Sequence, residues 1–231
     1  MGKFYLTGDT HGVFNRILDF SLKMETTIDD VLIILGDVGV NYYLNKRDNS
    51  NKKLLAQLDL TLFCIKGNHE KYPETLPNYK TKIWNGGKVF YEEEFPNIIF
   101  AKDGEIYNFN GKECLVLGGA YSVDKFYRLE RGYAWFEDEQ PSDELKKKVN
   151  EMIKIKNKFD YVLSHTCPFS TMPRHLFLSF IDQSTVDNST ENWLQYVSEN
   201  ISFDKWYFGH YHDDWTNGKY HMLYNGYDEL V

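Results

Sequence analysis

Residues 31–37 read VLIILGD, an uninterrupted run of five apolar side chains followed by Gly and Asp. A continuous apolar run of this kind predicts a strand that is buried on both faces of a sheet. The same arrangement occurs on either side of it. Residues 4–7 predict a strand that leads into the turn GDTHG (residues 8–12), and residues 62–65 predict a strand that leads into GNHE (residues 67–70).

Helical patterns separate these strands. Between the first two strands, Phe14, Ile17, Leu18 and Leu22 recur at helical spacing and predict an amphipathic helix. Residues 52–58 predict a second helix before the third strand. Because alternation of strand, turn and helix is typical of α/β proteins, we expect an α/β fold.

Apolar runs and turn residues predict the elements of the remaining chain. Strands are expected at residues 88–91, 98–101, 105–109, 113–117, 161–164 and 206–208, with a last strand at 219–224. The dipeptide Asn110-Gly111 predicts a hairpin turn. Ser142 is expected to cap a helix over residues 142–156, and residues 192–197 predict another helix.

Residues 121–143 (YSVDKFYRLERGYAWFEDEQPSD) combine charged and aromatic side chains without a clear period. We therefore expect a long loop there, acting as a lid or as a substrate loop. No repeat, linker or low-complexity tract interrupts the chain, so we expect a single domain over residues 1–231.

Composition restricts the classes of partner. The 231 residues include 26 Lys and Arg against 34 Asp and Glu, a formal net charge of -8. Such an acidic chain is a poor general ligand for nucleic acid, because affinity for the phosphate backbone comes from cationic contacts. A nucleic-acid partner is therefore disfavoured, although a local basic patch is compatible with this charge.

The three cysteines, Cys64, Cys114 and Cys167, are scattered and form no C-x-x-C pair. Their spacing argues against disulfides and a thiolate zinc site and favours a reducing compartment. The amino terminus has no long apolar leader segment, and no apolar run reaches the ~18 residues of a membrane span. We expect a cytoplasmic protein without a membrane partner.

Polar residues with ligand chemistry follow five of the predicted strands. The five blocks are Asp9-x-His11, Gly36-Asp37, Gly67-Asn68-His69-Glu70, His165 and Gly209-His210-x-His212. In α/β sheets, ligands bind beyond the carboxyl ends of the strands, where side chains that are distant in sequence meet. Carboxylate and carbonyl oxygens favour Mn, Mg or Fe, and imidazole favours Zn, Fe or Ni. The blocks therefore predict a site for divalent metal ions.

Taken in order, the five blocks resemble the calcineurin-like metallophosphoesterase superfamily, whose pattern is D-x-H, G-D, G-N-H-[DE], H and G-H-x-H. They extend from residue 9 to residue 212, so the resemblance covers most of the chain. Each block alone is weak evidence, but five in the same order are specific. The resemblance implies a four-layer αββα sandwich and a metal-dependent hydrolase of phosphomonoesters or phosphodiesters.

The resemblance also implies a role for each matching residue. It assigns Asp9, His11 and His212 to one metal, Asn68, His165 and His210 to a second metal, and Asp37 to a bridge between the two. Two divalent ions are implied, Mn²⁺ first, with Fe, Zn, Ni or Mg as alternatives. A metal-activated water would attack phosphorus. His69 would face the leaving group as a general acid or a transition-state stabiliser.

The second block departs from the protein serine/threonine phosphatases of this superfamily. Those enzymes carry G-D-x-V-D-R-G, whereas Val40 and Asn41 stand here in place of the Asp and Arg. The acid that orients His69 is therefore unassigned, and Arg128 and Arg131 are the candidates for binding phosphate. Glu70 is interpreted as an acid at a helix amino terminus.

These features favour a small phosphate ester or a nucleotide-type substrate. The alternatives are a protein serine/threonine phosphatase, disfavoured by the missing Asp-Arg pair, and a nuclease, disfavoured by the acidic charge. A non-enzymatic scaffold on an inactive phosphoesterase fold is a further alternative, and it would purify without stoichiometric metal. The oligomeric state is not predicted.

Overall fold

The structure is a computed structural model and describes residues 2–177, 179 and 181–231. Within these residues the α-helices are α1 (Asn15–Met24), α2 (Lys46–Leu55), α3 (Lys125–Arg131), α4 (Asp143–Ile155) and α5 (Ser189–Asn200). The strands of the first half are β1 (Phe4–Thr7), β2 (Val31–Ile34), β3 (Thr61–Cys64), β4 (Lys80–Trp84), β5 (Gly87–Glu92), β6 (Phe95–Ala101) and β7 (Ile106–Phe109). Those of the second half are β8 (Lys112–Leu117), β9 (Tyr161–Ser164), β10 (Lys205–Phe208), β11 (Trp215–Asn217), β12 (Tyr220–Met222) and β13 (Tyr227–Glu229).

The strands form two mixed sheets. The first has the order β13-β1-β2-β3-β6-β5-β4, and the second has the order β11-β12-β10-β9-β8-β7. In the first sheet, β1, β2, β3 and β6 run parallel, and the outer strands are antiparallel to their neighbours. In the second, β8, β9, β10 and β12 run parallel. Parallel strands place their carboxyl ends at one edge, so each sheet presents one edge rich in loops.

Alternate side chains of the first sheet pack in opposite directions. Leu6, Ile33 and Phe63 belong to a core shared with Val116 and Leu163 of the second sheet, so this core lies between the sheets. The residues between them, such as Leu32 and Ile34, pack with Ile17 and Phe20 of α1 on the outer face. This explains why residues 31–35 are apolar without interruption.

The outer face of the second sheet is covered in the same way. Val162 and Phe208 pack with Val149 of α4 and with Trp193 and Val197 of α5. The layers therefore follow the order helix, sheet, sheet, helix. The α/β class and the four-layer αββα sandwich expected from the sequence are confirmed. In the described part of the chain, every helix is too short or too polar to cross a lipid bilayer.

Several elements of the structure match the predicted ones closely, because short-range interactions determine them. Ser142 caps α4 by accepting a hydrogen bond from the Leu145 amide at 3.2 Å. Asn110 and Gly111 form the β7–β8 hairpin turn with φ values of 53° and 89°. These positive φ angles are those of the tight turn that an Asn-Gly pair favours.

The helices near the first sheet differ from expectation in two respects. α2 covers residues 46–55 instead of 52–58, because Asn45 caps it by accepting from the Arg47 amide at 2.8 Å. Its sequence, KRDNSNKKLL, is polar on most sides and gives no apolar period. In α1, Leu22 is 77% exposed, and Phe20 instead joins Ile17 in the core. Leu22 lies five residues beyond Ile17, outside the i+3 and i+4 positions that share a face.

Three further expectations are corrected. Residues 121–143 are not an uninterrupted loop, since α3 lies within them. β4 was not predicted, because its sequence KTKIW pairs at an edge where polar side chains are exposed. The strand predicted at 219–224 is the shorter β12, and it is not the last, because β13 follows and pairs with β1.

Candidate metal centre

The five predicted blocks follow β1, β2, β3, β9 and β10, and they converge at one place. The first three strands are parallel neighbours in one sheet, and the last two are parallel neighbours in the other. His165 Nε2 lies 3.5 Å from Asp37 Oδ2, and His212 Nε2 lies 3.2 Å from Asp9 Oδ2. Residues from both sheets therefore share one centre.

Asp9, His11 and His212 form one group whose ligand atoms lie within 4.8 Å of one another. The Nε2 atoms of His11 and His212 are 2.9 Å apart, and both face Asp9 Oδ2, at 3.7 and 3.2 Å. This buried oxygen accepts no hydrogen bond in the described structure. An unsatisfied carboxylate oxygen facing two imidazole nitrogens fits a cation site, because a metal would satisfy all three atoms.

Asp37 lies at the middle of the cluster. Two further groups of ligand atoms within 4.8 Å include it, one with Asp9 and His165 and the other with His11 and His69. Asn68 Oδ1 lies 2.7 Å from His165 Nε2, and the His210 ring lies 4.9 Å from the His165 ring, measured between centroids. The structure thus brings all seven predicted ligands together.

Close approach explains the glycines that precede the ligands. A Cβ atom on Gly67 would lie 2.0 Å from Asp37 Oδ1, and one on Gly209 would lie 2.2 Å from Asp9 Oδ1. Any other residue would displace these carboxylates. The two carboxylates also accept hydrogen bonds from the amides that follow the glycines, His69 N–H to Asp37 at 2.7 Å and His210 N–H to Asp9 at 3.0 Å.

The backbone of the cluster is strained. His11, Asp37, His210 and His212 have φ values of 47°, 49°, 69° and 55°, in the left-handed region that side chains disfavour. Each such residue costs roughly 1–3 kcal/mol, and strain of this kind is concentrated at functional sites. Four strained residues among seven predicted ligands indicate that the chain is arranged for the site and not for stability.

Charges inside the cluster are mutually dependent. Burial favours the neutral form of Asp37, but the His165 imidazole outweighs it and lowers the pKa of Asp37 well below its usual value. Burial opposes the charge on His165 as well, yet Asp37 and Asp9 raise the pKa of His165 to about 9. Burial lowers the pKa of His210 to about 3. Burial opposes the charge on Asp9 too, but His165 lowers its pKa, so both carboxylates favour the anionic form.

His69 contacts Arg128, a residue predicted to bind substrate. An Arg128 terminal nitrogen lies 2.5 Å from His69 Nδ1, and the other guanidinium nitrogens donate to Asp124 and to the Ala134 carbonyl, each at 2.8 Å. Because arginine only donates, Nδ1 accepts, and the neutral His69 ring carries its proton on Nε2. Burial, assisted by the Arg128 charge, lowers the pKa of His69 to about 4.

Asp124 is an acid that the sequence did not reveal. One of its oxygens lies 3.7 Å from His69 Nε2, and the other accepts the hydrogen bond from Arg128. It lies in the aperiodic segment 121–143, where neither spacing nor a motif identified it. Asp124 thus places a carboxylate from this segment next to the predicted catalytic histidine.

A second contribution of the same segment is a buried chain of hydrogen bonds behind Asn68. Asn68 Nδ2 donates to Ser122 Oγ at 2.9 Å, and Ser122 Oγ donates to Glu139 Oε2 at 2.5 Å. Trp135 Nε1 donates to the same Glu139 oxygen at 2.8 Å. This chain fixes the amide so that its carbonyl oxygen faces His165. The sequence did not reveal Ser122 and Glu139 either.

Two other expectations concern residues near the cluster. Arg131 is exposed, and its guanidinium lies 5.5 Å from the Tyr127 ring centroid, so its role in binding substrate stays a prediction. Glu70 is not at a helix amino terminus. It is buried next to the cluster, its carboxylate lies 3.5 Å from the Val38 amide, and burial raises its pKa to about 8.

A cavity of about 370 Å³ opens beside the cluster. Asp37, Asn68, His69, His210 and His212 line part of it. The rest of the wall comes from Tyr121, Val123 and Asp124 and from residues that follow β9. Its volume lies in the range of sites that hold one small organic molecule.

Comparison with solved structures supports the fold. The protein TT1561 of Thermus thermophilus superposes with a TM-score of 0.54 at 10% identity, covering 99% of this chain and 98% of that chain. A second solved structure gives a TM-score of 0.52 at 13% identity, covering 99% and 94%. No curated protein sequence matches the chain. At these identities the likeness concerns the fold alone.

The family model described as calcineurin-like phosphoesterase matches residues 2–214, which include all five blocks. Proteins of this family use divalent metal ions and act on phosphate esters. The two sheets, the converging strand ends and the clustered Asp and His ligands agree with that match. The chain belongs to the calcineurin-like phosphoesterase family.

Proposed function

We propose that this protein is a dinuclear metal-dependent hydrolase of a small phosphate ester. Asp9, His11 and His212 would hold one divalent ion, Asn68, His165 and His210 would hold the other, and Asp37 would be a further ligand. The observation that carries the proposal is the Asp9 group, in which two imidazoles face a buried carboxylate oxygen that lacks a hydrogen bond. We propose Mn²⁺ as the first ion to test, since carboxylate and amide oxygens favour it, and Fe, Zn, Ni or Mg are the alternatives.

Bound divalent ions would supply an activated water and neutralise the charge of the phosphoryl group. The chain itself contributes position and proton donation. His69 lines the cavity, and with Nδ1 accepting from Arg128 it holds its proton on Nε2. That N–H is available to the leaving-group oxygen as a donor. Asp124 and Arg128 fix the ring, so the donor is oriented before substrate binds.

The proposal favours a small substrate over a phosphoprotein. Asn41, which replaces the Arg of protein phosphatases, is buried and directs its amide to the Tyr79 hydroxyl at 2.9 Å. It is therefore engaged away from the cavity, whose described lining does not include it. The cavity also has the volume of a small-molecule site.

The test is hydrolysis of 4-nitrophenyl phosphate and bis(4-nitrophenyl) phosphate by metal-stripped and Mn²⁺-reconstituted protein. We expect turnover only after reconstitution. Faster hydrolysis of the monoester would indicate a phosphatase, and faster hydrolysis of the diester would indicate a phosphodiesterase. Asp37→Asn should abolish turnover and lower the amount of bound metal. Asp19→Asn, on the exposed side of α1, should change neither turnover nor bound metal. Normal turnover in Asp37→Asn, or wild-type protein that binds no metal, would refute the proposal.

A further inference from the structure

The cavity beside the cluster restricts the organic part of the substrate. We infer that this protein takes phosphate esters with one phosphoryl group and an apolar organic group that carries no other anion. The inference rests on the proposed hydrolysis and adds a substrate class to it. It concerns the part of the cavity wall that is formed by residues other than the predicted metal ligands and His69.

The wall is largely apolar. Val123 lines it from the segment before α3, and five apolar side chains line it from residues 172–186. These are Met172, Leu176, Phe177, Ile181 and Val186. The Phe177 and Tyr211 rings lie nearly parallel, 17° apart with centroids at 6.3 Å, so the wall includes a pair of aromatic side chains. An aryl or alkyl group placed there would be removed from water, which stabilises binding by about 25 cal/mol per Å² of apolar surface.

The acidic and basic residues on this wall are all acidic. Apart from the predicted metal ligands and His69, the described lining residues include the carboxyl groups of Asp124, Asp187 and Glu191 and no Lys or Arg. Asp187 already accepts hydrogen bonds from Gln140 and Ser189, and Glu191 from Thr166. A second anion on the substrate would lose water without gaining a cationic partner and would face these carboxylates.

Arg128 does not offer its positive charge to a second anion on the substrate. It is 6% exposed, and all three of its guanidinium nitrogens have partners in the chain, His69, Asp124 and Ala134. Among the described lining residues no cationic side chain is left for a second anion, and the proposed metal ions would serve the scissile phosphate. Nucleoside diphosphates, nucleoside triphosphates and phosphorylated carboxylic acids are consequently poor fits.

Binding of two phosphonates tests the inference without requiring turnover. Phenylphosphonate and 4-carboxyphenylphosphonate differ by one carboxylate, and neither is hydrolysed. Calorimetry on the Mn²⁺-reconstituted protein should give a Kd at least tenfold weaker for the carboxylated compound. Val123→Lys, which adds a cation at a half-exposed position of the wall, should reduce the ratio of the two Kd values severalfold. Ile83→Lys, at an exposed position on β4 that is not in the described lining, should leave the ratio of the two Kd values unchanged.

Equal or tighter binding of the carboxylated compound would overturn the inference, as would a failure of phenylphosphonate to bind. An equal effect of both lysine variants would overturn it too, because the preference would then reflect net charge. Hydrolysis of the nitrophenyl esters is scored separately. Turnover with equal phosphonate affinities would refute the substrate class alone, and selective binding without turnover would refute the proposed hydrolysis alone.

Discussion

Asn68 depends on a residue that is far from it in sequence. Ser122→Ala removes the acceptor for Asn68 Nδ2 and the donor to Glu139, so the amide loses the contacts that hold its oxygen toward His165. Loss of such a supporting hydrogen bond typically weakens metal binding 10- to 100-fold. We expect Mn²⁺ affinity, measured by equilibrium dialysis with metal analysis, to fall by that amount.

Ser142→Ala is the matched control for this prediction. Ser142 caps α4, so its loss should cost about 1 kcal/mol of unfolding free energy and leave metal affinity unchanged. If both variants lost the same metal affinity, the effect would be one of general stability, and the hydrogen-bond chain would have no specific role.

Arg128 is expected to act through His69. Arg128→Lys keeps the charge but loses the planar contacts to His69, Asp124 and Ala134. We expect kcat for 4-nitrophenyl phosphate to fall at least tenfold with KM within about twofold, because the proton on His69 is no longer held in place. Arg131→Lys, at an exposed position beside Tyr127, is the comparison. A higher KM with unchanged kcat in either variant would support the sequence-based assignment to phosphate binding.

At the scale of elements, a buried ion pair joins α2 to the first sheet. Lys52 Nζ lies 2.5 Å from Glu92 Oε2 at the end of β5, and both side chains are almost fully buried. Lys52→Met would leave the Glu92 carboxylate buried without its cation, which typically costs 3–5 kcal/mol. Urea unfolding should show a loss of that size.

The neighbouring pair supplies the control. Lys53 lies 3.7 Å from Glu94, and both side chains are about two-thirds exposed. Exposed pairs contribute roughly 0–1 kcal/mol, so Lys53→Met should change the unfolding free energy by less than about 1 kcal/mol. Similar losses in the two variants would contradict the buried pair as the link between α2 and β5.

At the scale of the whole molecule, each of the three cores contains one cysteine. Cys114 lies between the sheets, Cys64 lies under α1 and α2, and Cys167 lies under α4 and α5. Burial raises the pKa of all three thiols. A neutral buried thiol is a poor nucleophile. We expect no reaction with a disulfide reagent such as DTNB at pH 8 in the native protein, and three thiols to react in urea. Rapid reaction of one thiol in the native state would show that its layer opens locally.

The sequence determined the elements whose signal is local. The run at 31–35 predicted β2 because a strand between two packed layers has apolar residues on both faces. Asn110-Gly111 and Ser142 predicted a turn and a cap because each acts within four residues of itself. α2 was misplaced because its polar sequence carries no such signal along most of its length.

The predicted ligand set also came from the sequence, since each predicted ligand lies in the turn after a parallel strand and parallel strands end at one edge. Residues 121–143 were different. Asp124, Ser122 and Glu139 reach His69 and Asn68 across more than 50 positions of sequence, through a side-chain contact at 3.7 Å and hydrogen bonds that no spacing rule describes. The cavity wall likewise combines residues of several segments. The sequence by itself determined which side chains are candidate metal ligands. Only the tertiary structure decided which residues orient them and which residues complete the cavity wall, because those contacts exist only once the two sheets pack together.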